Sequence, residues 1–487
     1  MISIRELFSR AYPGFPGIVS VPDIPIAGLE CDSRKVRKDF LFVVVRGVRQ
    51  DGGSFISEAL SRGAAAVAGE AETKVPQGIP FVRLPDSRSS IARLAAAFYG
   101  NPSQAMRMIG ITGTNGKTTS SYLLEYLLSK ENKKTGVIGT VNYRFGRTVI
   151  PAVETTPGPL RLQEILAGMR DAGCEFALME VSSHALEQKR IEAVEFETAL
   201  FTNLTQDHLD YHKTMQAYFE CKVSLFEGLA AGRTAVVNGD DEWGKTLVKR
   251  LRCRTLTFGI DVPADFRAEN IHGQSHGTAF ELVFSGKRTA VELPLIGRHN
   301  VYNTLGALAI LQALGFDGVR LAGGLGDFPG VPGRLEQVNC GQGFFVFIDF
   351  AHTPDGIRNV LSTLAAVKKK KLIVVFGCGG DRDRGKRPQM AEIAARFCDR
   401  VVVTSDNPRS EDPRAIAREI CAGFPSSFKE FVVVLDRKKA IRQAFLSARP
   451  GDIVLLAGKG HECSQVVGDE ALPYNEREEA QRVLNGR

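Results

Sequence analysis

The stretch Gly110-Ile111-Thr112-Gly113-Thr114-Asn115-Gly116-Lys117-Thr118-Thr119 decides the fold class of this chain. The apolar segment 106–111 predicts a strand before the glycine turn, and 121–128 carries apolar residues at helical spacing after it. A strand, a glycine turn and a helix form the context of a phosphate-binding loop, where backbone N–H groups and the helix dipole face the phosphates. The stretch therefore predicts that the chain binds a nucleoside triphosphate.

The residue types in this turn suit that role. Gly113 and Gly116 let the backbone approach phosphate oxygens, Lys117 reaches the β- and γ-phosphates, and the Thr118 hydroxyl ligates Mg²⁺. The pattern G-x-x-x-x-G-K-[ST] expects glycine at position 111, where this chain has Ile111. The alternative interpretation is a glycine turn that only joins a strand to a helix.

Composition restricts the class of protein. The chain has 487 residues, 44% of them hydrophobic and 24% charged, which is typical of a globular protein with two to four domains. The net charge of +7 is dispersed, and its densest run, 368–371, has no interleaved aromatic residues. That pattern argues against a nucleic-acid partner and favours anionic small-molecule substrates.

Cysteines and apolar runs indicate where the protein works. Nine cysteines occur singly without a C-x-x-C pair, so neither a disulfide framework nor a zinc site is expected. The N-terminus does not read as a signal peptide, and no apolar run approaches the ~18 residues of a membrane span. We expect a cytoplasmic protein without a membrane partner.

The order of predicted elements gives an α/β protein with three domains. We expect a small α/β domain at 1–103, a central phosphate-loop domain with a largely parallel sheet at 104–333, and a Rossmann-like domain at 334–487. Gly100-Asn101-Pro102 breaks the chain at the first boundary, and 255–295 suggests an antiparallel addition. Strands in the last domain are expected at 344–350, 372–376, 400–404, 431–435 and 453–457.

Three polar residues of the central domain each have a functional interpretation and an alternative without a functional role. Glu180 ends an apolar strand, where a Mg²⁺-directed carboxylate belongs in a nucleotide-hydrolysing fold, and an exposed, solvated strand-end glutamate is the alternative. His208 lies in a segment with two histidines and two aspartates after another apolar run, and a structural histidine is the alternative. Lys222 lies in an amphipathic helical pattern and, on that pattern alone, is a surface lysine.

Two loops of the last domain suit anionic or zwitterionic ligands. The turn 377–387 is rich in glycine and arginine, and guanidinium groups bind carboxylates or phosphates through paired hydrogen bonds. Asp406-Asn407-Pro408-Arg409 combines an anion, an amide and a cation, which suits an amino acid. The alternative is a pair of solvated loops.

Taken together, these motifs resemble those of the Mur ligases, and the resemblance extends through all three domains in order. The matching stretches are Asp32-Ser33-Arg34, the phosphate loop 113–119, Thr155-Thr156-Pro157, Glu180-Val181-Ser182-Ser183-His184, 207–212, Asn300-Val301-Tyr302-Asn303, Pro332-Gly333-Arg334, 349–355, 377–387, 406–409 and Gly458-Lys459-Gly460-His461-Glu462.

The resemblance implies a ligase reaction. ATP would phosphorylate the D-glutamate side-chain carboxylate of UDP-MurNAc-L-Ala-D-Glu, and the amine of a dibasic amino acid would then displace phosphate. Within the family the Asp-Asn-Pro-Arg form is associated with meso-diaminopimelate, and enzymes that add L-lysine lack the arginine. We therefore expect a monomeric meso-diaminopimelate ligase that uses ATP and Mg²⁺, with the L-lysine-adding ligase as the alternative.

The resemblance also assigns residues. Catalysis would depend on Lys117, Glu180, His208 and Lys222. Metal ligands would be Thr118, Glu180, His208 and Lys222, the last as a carbamylated lysine. ATP would contact Gly113, Thr114, Asn115, Gly116, Lys117, Thr118, Thr119, Asn300, Asn303, Arg334 and Asp349. The nucleotide-sugar would contact Cys31, Ser33, Val48, Arg49, Gln50, Thr155, Thr156, Ser182, Gln188 and Arg190. The amino acid would contact Arg382, Asp406, Asn407, Pro408, Arg409, Gly458 and Glu462.

Three rivals remain. A folylpolyglutamate synthase shares the phosphate loop and the acyl-phosphate chemistry, but it lacks the nucleotide-sugar site and the 406–409 motif. A phosphate-loop switch or kinase would bind a nucleotide without forming an amide, and its ATP turnover would not depend on an amino acid. A scaffolding protein is the third, and polar clusters at strand ends argue against it.

Overall fold

The computed structural model describes residues 1–14, 18–47, 51–274 and 276–486. Two compact units are present, one formed by Met1–Phe266 with Gly306–Asp317 and the other by Arg267–Leu305 with Gly318–Arg487. Strands and helices alternate in both units, so the predicted α/β class is confirmed.

The first unit opens with a small parallel sheet and its helices. Its elements are β1 (Ile2–Ser3), α1 (Ile4–Ala11), β2 (Pro25–Ile26), β3 (Gly28–Glu30), β4 (Phe40–Val43), α2 (Ile56–Ser61), β5 (Ala64–Gly69), β6 (Phe81–Arg83) and α3 (Ser87–Phe98). The sheet order is β3-β4-β5-β6, with every pairing parallel. Helix α3 begins where the Asp86 carboxylate accepts the N–H groups of Arg88 and Ser89.

The rest of the first unit is built on a larger sheet. Its elements are β7 (Arg107–Thr112), α4 (Lys117–Lys130), β8 (Thr135–Ile138), β9 (Asn142–Phe145), β10 (Thr148–Pro151), α5 (Pro159–Asp171), β11 (Phe176–Glu180), α6 (Ser183–Glu187), β12 (Thr198–Phe201), α7 (Leu209–His212), α8 (Met215–Glu227), β13 (Thr234–Asn238), α9 (Glu242–Arg250) and β14 (Arg254–Gly259).

Strand β7 lies in the middle of this sheet. The order is β10-β9-β8-β11-β7-β12-β13-β14, parallel from β8 to β14, with β9 and β10 as an antiparallel hairpin at the edge. Strands β7, β11, β12 and β13 are mostly apolar and buried on both faces, as expected for a sheet covered by helices. Because parallel strands end at one edge, the loops after β7, β11 and β12 meet there.

The second unit joins an antiparallel hairpin to a second parallel sheet. Its elements are β15 (Phe266–Gln274), β16 (Gly277–Phe284), β17 (Lys287–Leu293), α10 (Arg298–Ala313), α11 (Gly318–Ala322), β18 (Glu336–Val338), β19 (Phe345–Asp349), α12 (Pro354–Val367), β20 (Leu372–Phe376), α13 (Lys386–Phe397), β21 (Arg400–Val403), α14 (Pro413–Cys421), β22 (Phe431–Val433), α15 (Arg437–Ser447), β23 (Ile453–Ala457), β24 (Ser464–Val467), β25 (Glu470–Pro473) and α16 (Glu476–Asn485). Helix α10 also supplies residues to the first unit.

The parallel sheet of this unit has the order β18-β19-β23-β20-β21-β22, with only β18 antiparallel among its described pairings. Strands β20 and β23 have the predicted bounds, and β16 pairs antiparallel with β17 as expected for 255–295. Buried apolar residues of β20, β21 and β23 face helices on both sides and form the cores.

Helix α4 starts earlier than the apolar periodicity predicted. It begins at Lys117, and the threonine and serine residues that follow, 118–121, are buried. Because these polar residues do not show apolar residues at helical spacing, the sequence pattern predicted the helix only from Ser121 onward.

Within the described residues, no helix has the length and apolarity needed to cross a lipid bilayer.

Candidate functional site

The phosphate loop between β7 and α4 is held in place by hydrogen bonds and close contacts with neighbouring residues. Gly113 has φ 144° and Gly116 has φ 89°, and a β-carbon on Gly113 would lie 1.9 Å from the Thr202 hydroxyl oxygen. The N–H groups of Thr114 and Asn115 donate to the backbone and side-chain oxygens of Asn203, at 2.9 and 3.0 Å. The Lys117 ammonium donates to the carbonyl oxygens of Gly113 and Thr114, each at 2.9 Å, and so lies over the loop.

Glu180 lies at the end of β11, buried beside this loop. Its carboxylate accepts the Thr118 hydroxyl at 2.9 Å, the Thr140 hydroxyl at 2.8 Å and the Thr140 N–H at 3.1 Å. Glu180 is 1% exposed, so the interpretation as a solvated strand-end carboxylate is wrong. The hydroxyl of Thr118 and the carboxylate of Glu180 therefore place their oxygens side by side at the phosphate loop.

Lys222 is buried in α8, which corrects the surface lysine that the helical pattern predicted. Its side chain is 1% exposed, and its amine donates to the carbonyl oxygen of Gly113 at 3.1 Å. The amine also lies 4.6 Å from the centre of the Tyr218 ring. Burial, and secondarily the positive charge of Lys117, hold the pKa of Lys222 well below its ordinary value. The amine is therefore poised to be neutral and nucleophilic.

His208 precedes α7 in a left-handed conformation, with φ 52°. Its ring lies 4.9 Å from the ring of His184 and 6.2 Å from that of Tyr218, the residue one helical turn before Lys222. Its neighbour in the motif, His212, is buried and bonds through Nε2 to the Ser183 hydroxyl at 2.9 Å. The predicted histidine segment, 207–212, thus lies near α8 and the phosphate loop. Within it, His212 has a structural role, because its ring is buried and bonded to Ser183.

Five residues predicted to bind the nucleotide-sugar come together at the same edge. The Thr156 hydroxyl donates to the carbonyl oxygen of Glu180 at 2.7 Å and accepts the N–H of Ser182 at 3.0 Å. Arg190 donates to Oε1 of Gln188 at 2.8 and 3.1 Å and to the carbonyl oxygen of Thr156 at 2.9 Å. Thr155 joins the group through Thr140, since their hydroxyls lie 3.1 Å apart.

The remaining residues predicted for the nucleotide-sugar lie in the N-terminal sheet region. Ser33 is buried and donates to the Glu58 carboxylate at 2.7 Å, whereas Cys31 is exposed. The predicted Val48, Arg49 and Gln50 lie outside the described residues.

The second unit holds the other four residues predicted to contact ATP. Asn300 and Asn303 lie on successive turns of α10, and the Asn303 amide donates to Oδ1 of Asn300 at 3.1 Å. Asp349 ends β19, where it accepts the N–H groups of Leu335 and Ala351, and burial raises its pKa. Arg334 lies one residue before Leu335.

The carboxyl ends of β20, β21 and β23 bring together the residues predicted for the amino acid. Asp406 and Asn407 are buried, and the Asn407 amide donates to the Glu462 carboxylate at 3.0 Å. Arg409, with φ 51°, donates to the carbonyl oxygen of Gly380 at 2.7 Å.

Close backbone approach explains the glycines at this edge. A β-carbon on Gly458 would lie 2.6 Å from the Asp406 carboxylate, and one on Gly380 would lie 1.9 Å from the carbonyl oxygen of Pro408. Arg382 is exposed and donates to a carbonyl of its own turn. The cluster offers carboxylates and guanidinium groups side by side, which suits a zwitterion with additional charged ends.

Two residues of these clusters were not predicted. Thr140 binds Glu180 through both its N–H and its hydroxyl, but only the adjacency of β8 and β11 brings the two residues together. Lys459 is fully buried among Asp406, Asn407 and Glu462. Its position inside the quoted stretch 458–462 could have been noticed, but nothing in that stretch indicates its burial.

Among the described residues, no group of three or more His, Cys, Asp and Glu side chains is arranged to hold a metal ion. Mg²⁺ at nucleotide sites usually takes one or two protein oxygens, with phosphates and water filling the other positions. Thr118 and Glu180 fit that requirement beside the phosphate loop.

Comparison with known proteins places these features in one family. Family models match residues 25–99 (Mur ligase family, catalytic domain), 111–311 (Mur ligase middle domain) and 333–460 (Mur ligase, glutamate ligase domain). A protein of Geobacillus thermodenitrificans named UDP-N-acetylmuramoyl-L-alanyl-D-glutamate--2,6-diaminopimelate ligase is 45% identical over 492 residues, covering 100% of both chains. One of the same name from Geobacter sulfurreducens is 44% identical over 93% of this chain and 94% of its own.

A solved structure with that ligase name is also similar. It is 34% identical, covers 98% of both chains and superposes with a TM-score of 0.72. Because the family models match most of the chain and these relatives span nearly all of it, the chain belongs to the Mur ligase family.

Proposed function

We propose that this protein is an ATP-dependent ligase that joins meso-2,6-diaminopimelate to the D-glutamate side-chain carboxylate of UDP-MurNAc-L-Ala-D-Glu. The observation that carries the proposal is the Asp406-Asn407-Pro408-Arg409 stretch, whose Arg409 side chain bonds to the Gly380 carbonyl, in a chain 44–45% identical to relatives named as 2,6-diaminopimelate ligases. The second carboxylate of diaminopimelate gives the Arg409 guanidinium a partner that L-lysine does not have.

The reaction needs activation, because a carboxylate is a poor electrophile. The carboxylate oxygen attacks the γ-phosphorus of ATP, ADP leaves, and an acyl phosphate forms. The neutral amine of diaminopimelate then attacks the acyl carbon, the C–O bond to phosphate breaks, and an amide remains after nitrogen loses a proton. Lys117, the backbone at Gly113 and Gly116 and the N-terminus of α4 would bind the transferring phosphoryl group.

Thr118 and Glu180 would hold Mg²⁺ with the phosphates, and His208 with the modified Lys222 would hold a second ion. The cation, when bound, neutralises charge that develops on the phosphoryl oxygens. The hydrogen bond between Thr118 and Glu180 supports this assignment, since both oxygens already face one another at 2.9 Å.

Lys222 would act as a carbamate. Its neutral amine can add to CO₂ with loss of a proton, and the carbamate that forms carries a carboxylate at this buried position. The lowered pKa and the burial of Lys222 support this modification.

The other assigned residues would recognise the rest of each substrate. Cys31, Ser33 and 48–50 of an N-terminal domain spanning 1–103 would bind the nucleotide-sugar with Thr155, Thr156, Ser182, Gln188 and Arg190 of a central domain, 104–333. Asn300, Asn303, Arg334 and Asp349 would contact ATP. A C-terminal domain, 334–487, would bind the amino acid. We propose a monomer that acts in the cytoplasm on small molecules, without nucleic-acid or membrane partners.

Phosphate release from ATP in the presence of UDP-MurNAc-L-Ala-D-Glu tests the proposal. We expect release to require meso-diaminopimelate, with little release in the presence of L-lysine or without an amino acid. Release with L-lysine instead would keep the ligase and contradict the role of Arg409. Release that needs no amino acid would favour a phosphate-loop hydrolase.

A further inference from the structure

Lys459 lies at the centre of the amino-acid cluster without being one of the residues assigned to contact the ligand. It is the second residue after β23, and its side chain is 0% exposed. The cluster around it contains two carboxylates, Asp406 and Glu462, so its charge offsets part of theirs.

The three N–H groups of the Lys459 ammonium are all used by protein oxygens. They donate to Oδ1 of Asn407 at 2.5 Å, to Oε2 of Glu462 at 2.9 Å and to the carbonyl oxygen of Ser464 at 2.8 Å. An ammonium has three donors and no acceptor. Lys459 is therefore saturated and acts on a ligand only through its neighbours.

These bonds fix the orientation of Asn407. Its Oδ1 accepts both the Lys459 ammonium and the N–H of Val466, at 2.9 Å for the latter. Two donors on one side of the amide define which atom is oxygen, so Nδ2 faces Glu462 and donates to Oε2 at 3.0 Å.

Glu462 consequently receives both protein donors on the same oxygen. Lys459 and Asn407 each bind Oε2, which turns Oε1 away from them. A carboxylate oxygen is the acceptor that an ammonium group requires. We propose that Lys459 is a positioning residue that reserves Oε1 of Glu462 for an ammonium group of the incoming amino acid.

The same lysine ties the amino-acid cluster to the β24–β25 hairpin. Beyond its bond to Ser464, the hairpin bonds to the 406–409 segment, since Gln465 donates to the carbonyl oxygen of Asp406 at 2.7 Å. The N–H of Arg409 donates to the carbonyl oxygen of Val466 at 3.2 Å. These bonds of Gln465 and Val466 hold the 406–409 segment to the hairpin without Lys459, so Lys459 is expected to affect the ligand through Glu462.

The inference rests on the proposed ligase function, and its test is steady-state phosphate release with each of the three substrates titrated in turn. We expect Lys459→Met to raise the KM for meso-diaminopimelate roughly tenfold or more, since a charged hydrogen-bond partner is lost. The KM values for ATP and for the nucleotide-sugar should change by less than about twofold. Lys438→Met, which removes an exposed lysine paired with Glu479 at 3.1 Å in the same unit, is the matched control.

A double substitution separates positioning from general damage. If Lys459 acts through Glu462, then Lys459→Met/Glu462→Gln should bind meso-diaminopimelate no worse than Glu462→Gln alone. Multiplying effects, or equal rises in all three KM values for Lys459→Met, would overturn the inference. If Lys459→Met does not fold, the double variant is used instead, because it removes both charges of the pair. Its KM for meso-diaminopimelate is compared with that of Glu462→Gln in the same way.

The unaltered chain separates the two proposals. Amino-acid-stimulated release with an unchanged KM in Lys459→Met would overturn this inference alone. An unaltered chain whose phosphate release does not depend on the amino acid would overturn the proposed function, and the inference with it.

Discussion

At the scale of single residues, the two buried lysines show opposite solutions to the same physical problem. A buried ammonium loses hydration and needs either partners or a neutral state. Lys459 has two carboxylates nearby and three oxygen acceptors. Lys222 has a carbonyl at 3.1 Å, a hydroxyl at 3.5 Å and the Tyr218 ring, with no carboxylate bonded to it among the described residues, and another cation, Lys117, lowers its pKa further. The carboxylates around Lys459 offset its charge, whereas burial beside Lys117 favours the neutral amine of Lys222 that a carbamate requires.

Replacing Lys222 by methionine should stabilise the protein and abolish ligation. The unfolded chain binds a proton at Lys222 that the folded chain does not, at any pH between the lowered pKa and 10.5. The free energy of unfolding of the unaltered protein therefore decreases as the pH falls. The stability advantage of Lys222→Met should grow by about 1.4 kcal/mol for each unit of decreasing pH in that range.

Urea unfolding in CO₂-free buffer at several pH values measures this difference. Lys249→Met, at an exposed position of α9 in the same unit, is the control and should give a difference that does not vary with pH. A Lys222→Met protein that is less stable at every pH would contradict the prediction.

Arg409 carries the expected choice of amino acid. Arg409→Ala should raise the KM for meso-diaminopimelate by about ten- to a hundredfold, because a charge-assisted hydrogen bond contributes roughly 1.5–3 kcal/mol. Phosphate-release kinetics measure the change. Arg414→Ala, an exposed arginine at the start of α14, should leave that KM unchanged. An equal loss in both variants would argue for a general charge effect.

At the scale of elements, the loop between β7 and α4 is defined by its surroundings as much as by its own glycines. Thr202 and Asn203, after β12, bond to Asn115 and Thr114 across the loop. Helix α4 then begins at Lys117, with Gly116 in a left-handed conformation before it. The segment after β12 therefore fixes the backbone of the phosphate loop.

Gly113→Ala should remove nucleotide binding and lower stability. A β-carbon there would lie 1.9 Å from the Thr202 hydroxyl oxygen at φ 144°, so the loop has to move, at a cost of roughly 1–3 kcal/mol. Calorimetric titration with ADP and urea unfolding measure both effects. Gly326→Ala, where nothing lies within 4 Å of the added carbon, should change neither. Full ADP affinity in Gly113→Ala would refute this account of the loop.

At the scale of the whole molecule, the chain has two compact units, each with its own hydrophobic cores. The single tryptophan, Trp243, lies in the first unit, with its ring 4.8 Å from that of Phe219. Its fluorescence therefore reports the unit that contains the phosphate loop, while far-UV ellipticity reports the whole chain.

We expect the fluorescence and ellipticity transitions to differ in denaturant midpoint, because separate cores can unfold in separate steps. ADP with Mg²⁺ at about a hundred times its Kd should stabilise the fluorescence transition by about 2.7 kcal/mol. The same titration with Gly113→Ala is the control. Coincident transitions would show that the chain unfolds as one cooperative whole.

The sequence by itself determined the class of fold, the phosphate loop and the polar loops at strand ends. Apolar runs predicted strands such as Leu372–Phe376 and Ile453–Ala457, because a strand buried on both faces has few polar residues. Motif resemblance determined the family. These features are local, or are repeated along the chain, so no distant contact is needed to recognise them.

Only the tertiary structure decided how the residues of each cluster act. The partners of Glu180 come from the loop after β8 and from α4, and two partners of Lys459, Asn407 and Glu462, lie in loops that follow different strands. The burial of Lys222 depends on the packing of α8 beside the phosphate loop, and helical spacing alone reads that position as solvent-facing. The physical reason is that pKa, burial and hydrogen-bond orientation depend on neighbours in space, and strand order, which sets those neighbours, is not written in any one segment.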